Sequence, residues 1–226
     1  MEWINDYQLF LFDFDGLLVN TEKFHYEAYC LMCKKRGIEP DISFSEYCLI
    51  AHYEHDGLEK GFYQRYPELF RQEPDWKVLY AEKKKNYLNL LQHNPVTLMP
   101  GALELLSKLS EKNITRCVVT HSPLEQIDKI RMDNPILDTI PHWITREDYT
   151  HPKPHKECYE IAIQRYAKEG DHIIGFEDTP RGLKSLLQTP AKAVFVTMVP
   201  YPDLSLFIKE GALHVESLQS MDNALL

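Results

Sequence analysis

The stretch LFLFDFDGLLVNTE, residues 9 to 22, decides the fold of this chain. Leu9 to Phe12 is a continuously apolar run, which is typical of a strand covered on both faces in a parallel sheet. Asp13 and Asp15 follow at once, and side chains at i and i+2 of an extended chain point to the same side. The two carboxylates repel each other unless a cation or a proton lies between them. The stretch predicts either a cation site, with magnesium as the natural ion, or a pair of acidic caps on a strand-to-helix turn.

The composition is that of a globular chain. Its 226 residues, 44% of them hydrophobic, are enough for one large domain or for a core with a smaller second unit. A net charge of −9 argues against nucleic acid or an anionic membrane surface as a partner. No basic region precedes a long apolar stretch, so we expect a soluble cytoplasmic protein. Five cysteines, with Cys30 and Cys33 forming a CxxC on a predicted helix, indicate reduced thiols used in packing rather than disulfides or zinc.

Strands and helices alternate regularly after residue 97. A helix is predicted from Pro100, with Leu103, Leu106 and Leu109 on one face, before the apolar run CVVT. Further short runs, HWIT, HIIGF and KAVFV, are separated by helical patterns at 122–133, 155–168 and 180–188. This alternation predicts an α/β fold whose core is a mostly parallel, Rossmann-like sheet with helices on both faces, a three-layer α/β/α arrangement.

About 80 residues lie between the first strand and residue 97, far more than a crossover connection needs. Apolar residues recur at helical spacing near both ends of this segment, at Phe24, Ala28, Leu31 and Met32, and at Val78, Leu79, Leu88 and Leu91. We therefore predict an inserted α-helical cap domain at residues 19–96, with residues 1–18 and 97–226 forming the catalytic core.

Three later strands are also predicted to end in polar residues, at the edge where ligands bind in an open parallel sheet. Thr120 and His121 follow CVV, where a hydroxyl and backbone N–H groups can hold phosphate oxygens, although a threonine there can also cap a helix. Lys153 stands between two prolines that stiffen its loop, although a single lysine is usually solvated. Glu177 and Asp178 form a second acidic pair that can complete a metal's oxygen shell or serve as an N-cap.

These residues, in this order, resemble the four motifs of the haloacid dehalogenase superfamily of phosphotransferases. The resemblance rests on DFDGLLVNTE, VVTHS, the Lys153–Pro154 pair and GFEDTPRG, and it covers nearly the whole chain. The helices after the first motif are similar to the subfamily with a small helical cap, which includes β-phosphoglucomutase and phosphoglycolate phosphatase.

The resemblance implies a role for each residue. Asp13 is expected to be the nucleophile and Asp15 the general acid and base. Thr120 and the amide of His121 are expected to orient the phosphoryl oxygens, and Lys153 to offset their charge. The resemblance implies that Mg²⁺ is held by three groups, namely a carboxylate oxygen of Asp13, the backbone carbonyl of Asp15 and the side chain of Asp178. Glu177 is expected to be a further or an outer ligand.

Residues of the cap are candidates for substrate binding. His25 matches a histidine that the resemblance places next to the acid/base residue, although a histidine on a helix face is more often a surface or packing residue. The Lys83–Lys85 run, with Lys84 at its centre, falls where related caps present a cation, or it is a solvated helix face. Further aromatic and histidine side chains either line a polar pocket or cover the cap's own core: Tyr47, His52, Tyr53 and His55.

The chain departs from the family's pattern at several positions. Asn20 stands where the family usually has an acidic residue, and the residues His155, Lys156 and Glu157 lack the aspartate that is common there. His121 is larger than the residues often found after the motif threonine. These departures remove no core catalytic group, but they leave the identity of the substrate undefined.

The sequence leaves more than one function open. The leading hypothesis is a magnesium-dependent phosphatase acting on a small phosphorylated metabolite such as a sugar phosphate. A phosphomutase similar to β-phosphoglucomutase uses the same core. A regulatory phospho-acceptor similar to a bacterial receiver domain, or a relative that only binds ligand, would keep the carboxylates without turnover. We expect a monomer or a weak dimer.

Overall fold

Six parallel strands form one sheet in a computed structural model that describes residues 1–53 and 56–221. The order of the strands across the sheet is β3-β2-β1-β4-β5-β6. They are β1 Leu9–Phe12, β2 Thr115–Val119, β3 His142–Ile144, β4 Ile173–Glu177, β5 Lys192–Val196 and β6 Leu213–Val215. The predicted fold class is therefore confirmed: a parallel α/β core with an inserted helical region.

Strand β1 lies at the centre of the sheet, and its register sets the positions of the polar residues that follow each strand. Phe12 pairs with Val118 of β2 on one side and with Phe176 of β4 on the other. The amide of Asp13 donates to the Phe176 carbonyl oxygen at 3.0 Å. The carboxyl ends of β1, β2 and β4 consequently meet at one edge of the sheet.

The sheet is anchored by aromatic side chains around β1. Phe10 and Phe12 are fully buried, and the ring of Phe12 stacks on that of Phe176 with centroids 5.1 Å apart and planes at 15°. Burial of one such side chain stabilises the fold by about 2 to 3 kcal/mol. A continuously apolar strand can tolerate charge only at its exposed end, which is where Asp13 lies.

The chain divides into two compact units, which we call the core unit and the cap unit. The core unit comprises Met1–Asn20 and Val96–Leu226, and the cap unit comprises Thr21–Pro95. These divisions lie within one or two residues of the predicted boundaries. The helices of the cap unit are α1 Glu22–Lys34, α2 Phe44–Ala51, α3 Gly57–Arg65, α4 Pro67–Gln72 and α5 Trp76–His93. Those of the core unit are α6 Ala102–Glu111, α7 Leu124–Asp133, α8 Glu157–Tyr166, α9 Pro180–Leu186 and α10 Leu204–Lys209.

The predicted apolar face of α6 is wrong in one residue. Leu103 is 56% exposed, whereas Leu105 is buried together with Leu106 and Leu109. The inward stripe begins at Ala102 and follows the i, i+3, i+4, i+7 spacing, which leaves position 103 on the outer side. The predicted buried stripe starts one residue later, because Leu103 is apolar.

The inward face of α5 also differs from the predicted one. Val78 and Leu88 are 40% and 47% exposed, although both had been assigned to the apolar face. The buried residues of α5 are Leu79, Lys83, Asn86, Tyr87 and Leu91. Leu79, Lys83, Tyr87 and Leu91 are each four residues apart, and Asn86 lies beside Tyr87, so the five form one stripe. The prediction included only Leu79 and Leu91, because Lys83 and Asn86 are polar.

The cysteines, the last strand and the helix lengths can each be compared with what the sequence predicts. All five cysteines are free thiols, as predicted. Strand β6 was not predicted, because its sequence, LHV, is not a continuous apolar run. Within residues 1–53 and 56–221, no helix is both long enough and apolar enough to cross a lipid bilayer.

Gly101, which precedes α6, is required for two separate reasons. Its φ is +87°, and a Cβ added there would lie 2.2 Å from the backbone nitrogen of Gln219. We expect Gly101→Ala to lower the free energy of unfolding by about 2 kcal/mol or more, because backbone strain and the clash add. Urea unfolding measures this as a lower midpoint at an unchanged slope.

Gly170 is the matched control for this substitution. Its φ is +86°, but a Cβ there would meet no atom within 4 Å. Gly170→Ala therefore carries the strain without the clash, and we expect it to cost less than Gly101→Ala by at least about 1 kcal/mol. Equal losses for the two variants would show that the contact with Gln219 does not matter.

Candidate active site

A lysine joins the ends of three strands. The Lys153 ammonium donates to Asp13 Oδ1 at 2.5 Å, to the Val119 carbonyl oxygen at 2.9 Å and to Glu177 Oε1 at 2.7 Å. An ammonium has three hydrogens, so these contacts use its full donor capacity. The structure thus brings together predicted site residues that are up to 164 positions apart in the chain, Asp13 and Glu177 among them.

The charge of this lysine is held by its carboxylate neighbours. Its side chain is only 8% exposed. Burial alone would lower the pKa of Lys153, but Asp13 and Glu177 raise it well above its usual value. The ammonium therefore stays protonated across the physiological range and offsets negative charge at the strand ends.

Glu177 is the most deeply buried acid of the group, with no exposed surface. Burial, with the charge of Asp13 added, raises its pKa to about 7, and Lys153 opposes that rise. The hydroxyl of Tyr159, on α8, donates a short hydrogen bond to Glu177 Oε1. The predictions did not include Tyr159, because a buried aromatic on a helix face has the same sequence pattern as a core residue.

Three carboxylates at this edge fit a divalent cation. One oxygen each from Asp13, Glu177 and Asp178 lie within 4.8 Å of one another. Among the described residues, Glu177 Oε2 is buried and accepts no hydrogen bond. It abuts Gly182, where an added Cβ would lie 2.0 Å from it. A set of carboxylate oxygens with an unused buried acceptor is the chemistry that Mg²⁺ prefers.

Asp15 contacts the hydroxyls that follow β2. Ser122 Oγ donates to Asp15 Oδ2 at 2.6 Å, and Thr120 Oγ1 lies 3.3 Å from the same oxygen. The Thr120 hydroxyl in turn accepts from the Ser122 amide at 2.9 Å, and Gln126 donates to Ser122 Oγ at 3.2 Å. Ser122 was not predicted, although it stands in the VVTHS stretch, two residues after Thr120.

His121 is held by a tyrosine from a neighbouring loop. The Tyr149 hydroxyl donates to the Thr120 carbonyl oxygen at 3.1 Å and lies 2.9 Å from His121 Nδ1. Because the hydroxyl hydrogen is used on the carbonyl, Nδ1 carries the imidazole hydrogen and donates to Tyr149. The ring itself is exposed at the edge of the sheet.

A second group of possible metal ligands lies on the loop that carries Lys153 and at the start of α8. His151, His155 and Glu157 each place one ligand atom within 4.8 Å of the others. The Glu157 carboxylate accepts from the Thr150 amide at 3.1 Å and from the His151 amide at 2.7 Å. These contacts give Glu157 a local structural role. It is one of the three residues, His155 to Glu157, that lack the aspartate common in the family.

The cap unit contains its own buried polar cluster. The Lys83 ammonium donates a short hydrogen bond to His25 Nδ1 and lies 5.0 Å from the centre of the Tyr29 ring. The His25 ring stacks on Tyr87 at a centroid distance of 4.0 Å. Lys84, the lysine named in the prediction, is exposed on another side of α5.

A carboxylate lies in the same helix as His25. Glu22 Oε1 accepts from the Tyr47 hydroxyl at 2.9 Å and lies 3.2 Å from His52 Nε2. Burial alone would raise the pKa of Glu22, but His52 and Tyr47 hold it well below its usual range. Tyr47 and His52 are buried beside Glu22, a residue that was not predicted, whereas His55 lies outside the described residues.

His25 makes the cap unit sensitive to acid. Burial and the neighbouring Lys83 lower the pKa of His25 to about 3, so the ring is neutral in the fold and protonates at about pH 6.5 when unfolded. The stability that the neutral His25 ring contributes is therefore fully present above pH 6.5 and is lost as the pH falls toward 3. We expect the free energy of unfolding to drop by up to about 2 kcal/mol between pH 7 and pH 5 on this account.

Comparison of wild type with His25→Gln isolates this effect. Glutamine keeps an acceptor for Lys83 but does not titrate, so the variant should lose less stability between pH 7 and pH 5 in urea unfolding experiments. All other titrating groups are common to both proteins. Parallel losses would mean that His25 titrates alike in the folded and unfolded chains.

Two curated relatives cover most of this chain. A validoxylamine A 7′-phosphate phosphatase of Streptomyces hygroscopicus subsp. limoneus is 26% identical over 177 residues, 78% of this chain and 79% of the relative. A phosphorylated carbohydrates phosphatase of Thermotoga maritima is 22% identical over 223 residues, 95% of this chain and 96% of the relative.

The fold is shared with a solved structure of β-phosphoglucomutase from Clostridium difficile. The TM-score is 0.67 at 21% identity, over 96% of this chain and 94% of that one. A sequence model of the haloacid dehalogenase-like hydrolase family matches residues 10–196. That range includes Asp13, Thr120, Lys153 and the Glu177–Asp178 pair, which confirms the family predicted from these residues. The chain is therefore a member of the haloacid dehalogenase-like hydrolase family.

Proposed function

We propose that this enzyme is a magnesium-dependent phosphatase that hydrolyses a small phosphorylated metabolite through an aspartyl-phosphate intermediate. The observation that carries the proposal is the buried Lys153 ammonium between Asp13 and Glu177. An anionic nucleophile can approach an anionic phosphate only where positive charge is already in place. Lys153 supplies one such charge next to the Asp13 carboxylate.

In the first step Asp13 attacks phosphorus, and the bond between phosphorus and the substrate oxygen breaks. The electron pair of that bond goes to the leaving oxygen, which takes a proton from Asp15. Lys153 holds one oxygen of Asp13 in place, so the attacking group does not rotate. The alcohol is released, and the phosphoryl group stays on Asp13.

In the second step a water molecule attacks phosphorus and gives a proton to Asp15, now a carboxylate. The bond between phosphorus and the Asp13 oxygen breaks, and inorganic phosphate leaves. Ser122 and Thr120 contact the Asp15 oxygen, so they stabilise the ionised form that this step requires. Thr120 and the amide of His121 are proposed to orient the phosphoryl oxygens.

The proposed magnesium ligands are Asp13, the backbone carbonyl of Asp15, Glu177 and Asp178. A divalent cation there supplies charge stabilisation to the phosphoryl oxygens. The closeness of the three carboxylates and the unused Glu177 Oε2 support this assignment.

We propose sugar phosphates as the substrate class. The two relatives described above act, by name, on validoxylamine A 7′-phosphate and on phosphorylated carbohydrates. His25 and Lys83 are proposed to take part in substrate recognition from the cap unit. Lys84, which is exposed on α5, is proposed to contribute a further positive charge to this recognition.

The likeness in fold to β-phosphoglucomutase makes a phosphomutase the second candidate. A mutase passes the phosphoryl group from its aspartate to another hydroxyl instead of to water. Turnover of a sugar phosphate that requires a bisphosphate activator would favour the mutase. A stable aspartyl phosphate without any turnover would favour a phospho-acceptor, and ligand binding without an aspartyl phosphate would favour a binding module.

Asp13→Asn tests the nucleophile. The amide keeps the shape of the side chain but cannot form the phosphoryl intermediate, so we expect phosphate release to fall by at least about a thousandfold. The assay measures phosphate released from a panel of sugar phosphates, phosphoglycolate and an aryl phosphate, with and without Mg²⁺.

Asp128→Asn is the matched control, because Asp128 lies on α7 with a side chain that is 55% exposed. It should leave phosphate release unchanged. Wild-type release that is independent of Mg²⁺, or release that survives in Asp13→Asn, would refute the proposed mechanism.

Ser122→Ala tests the support of Asp15. One hydrogen bond to a charged group is worth about 1.5 kcal/mol, so we expect kcat to fall about tenfold at an unchanged KM. Ser122→Thr keeps the hydroxyl and should restore most of the rate. A loss that threonine does not restore would assign Ser122 to packing alone.

A further inference from the structure

Tyr159 places a polar group where packing needs only an apolar ring. Its side chain has no exposed surface, and its ring lies 4.9 Å from the Lys153 ammonium. Phenylalanine would fill the same volume on this face of α8. A buried hydroxyl costs stability unless it is hydrogen-bonded, and Tyr159 meets this requirement through Glu177 Oε1.

The two oxygens of Glu177 have different surroundings. Oε1 accepts from both Tyr159 and Lys153. Among the described residues, Oε2 has no donor, and it lies against the backbone of Gly182. The carboxylate is thus held by two hydrogen bonds at one oxygen, while the other oxygen lies beside Gly182, where the absence of a side chain leaves room for it.

The two donors to Oε1 serve different functions. Lys153 also binds Asp13 and the Val119 carbonyl, so its position is set by the nucleophile as well as by Glu177. The Tyr159 hydroxyl donates its hydrogen to Glu177, whereas Lys153 donates to Asp13 as well. The Tyr159 hydroxyl is therefore the group whose removal changes the orientation of Glu177 while the contact between Lys153 and Asp13 stays in place.

We propose that Tyr159 is a positioning residue that holds Glu177 in the donor set formed with Asp13 and Asp178. The inference rests on the magnesium site of the proposed function and extends it to a residue outside the family's four motifs. Groups that hydrogen-bond to metal ligands commonly change metal affinity by 10- to 100-fold when removed. Tyr159 acts through Glu177 and not on the substrate.

Tyr159→Phe tests this inference by metal binding without substrate. We expect the Kd for Mg²⁺, measured by isothermal titration calorimetry, to rise about tenfold. Activity should recover at saturating Mg²⁺, with the KM for the sugar phosphate unchanged. Tyr166→Phe is the matched control, because Tyr166 lies at the end of the same helix and stacks on His142. Its Kd should stay within twofold of wild type.

A double-mutant cycle with Glu177→Gln separates positioning from packing. Glu177→Gln should itself weaken Mg²⁺ binding, and Tyr159→Phe should add little in that background, because both act on the same carboxylate. Additive effects, or an unchanged Kd in Tyr159→Phe, would overturn the inference and leave the proposed function standing. Wild-type protein that binds no Mg²⁺ would overturn both.

Discussion

The contact of the Lys153 ammonium with Asp13, Glu177 and the Val119 carbonyl is the interaction on which the rest of the core unit depends. It joins β1, β2 and β4 to the loop before α8, and it places a positive charge among carboxylates that would otherwise repel one another. Breaking a buried ion pair by removing one partner typically costs 3 to 5 kcal/mol, because the remaining charge is left uncompensated. The same contact that organises the strand ends also prepares them to receive an anionic substrate.

A second polar cluster lies in the cap unit, and it follows the same physical rule. Lys83 is buried, and its charge is tolerated because His25 accepts its hydrogen bond and the ring of Tyr29 lies beneath it. Glu22 is held as a carboxylate by Tyr47 and His52. Buried charges of this kind stabilise a fold less than apolar packing would. Their presence on the inward stripe of α5 and in α1 therefore favours a functional use of this cluster.

Much of the fold could be predicted from the sequence because the core strands are short apolar runs with polar residues at their ends. The apolar run before Asp13 and the run HIIGF, which precedes Glu177, can be recognised locally. Helix faces were predicted less well. Leu103 and Val78 are apolar but exposed, and Lys83 is charged but buried. Rotation of a helix about its axis is set by what it packs against, which the hydrophobic pattern of a single helix shows only in part.

The sequence by itself determined which chemical groups stand at the strand ends, because a parallel sheet brings the carboxyl ends of its strands to one edge. Asp13, Asp15, Thr120 and the Glu177–Asp178 pair were found in this way, whereas Lys153 lies in the loop between β3 and α8. Only the tertiary structure decided which groups contact them. Tyr159 meets Glu177, Ser122 meets Asp15, and Lys83 rather than Lys84 meets His25. These partners lie 18, 107 and 58 positions apart, so their contacts depend on the packing of separate elements, which local spacing does not encode.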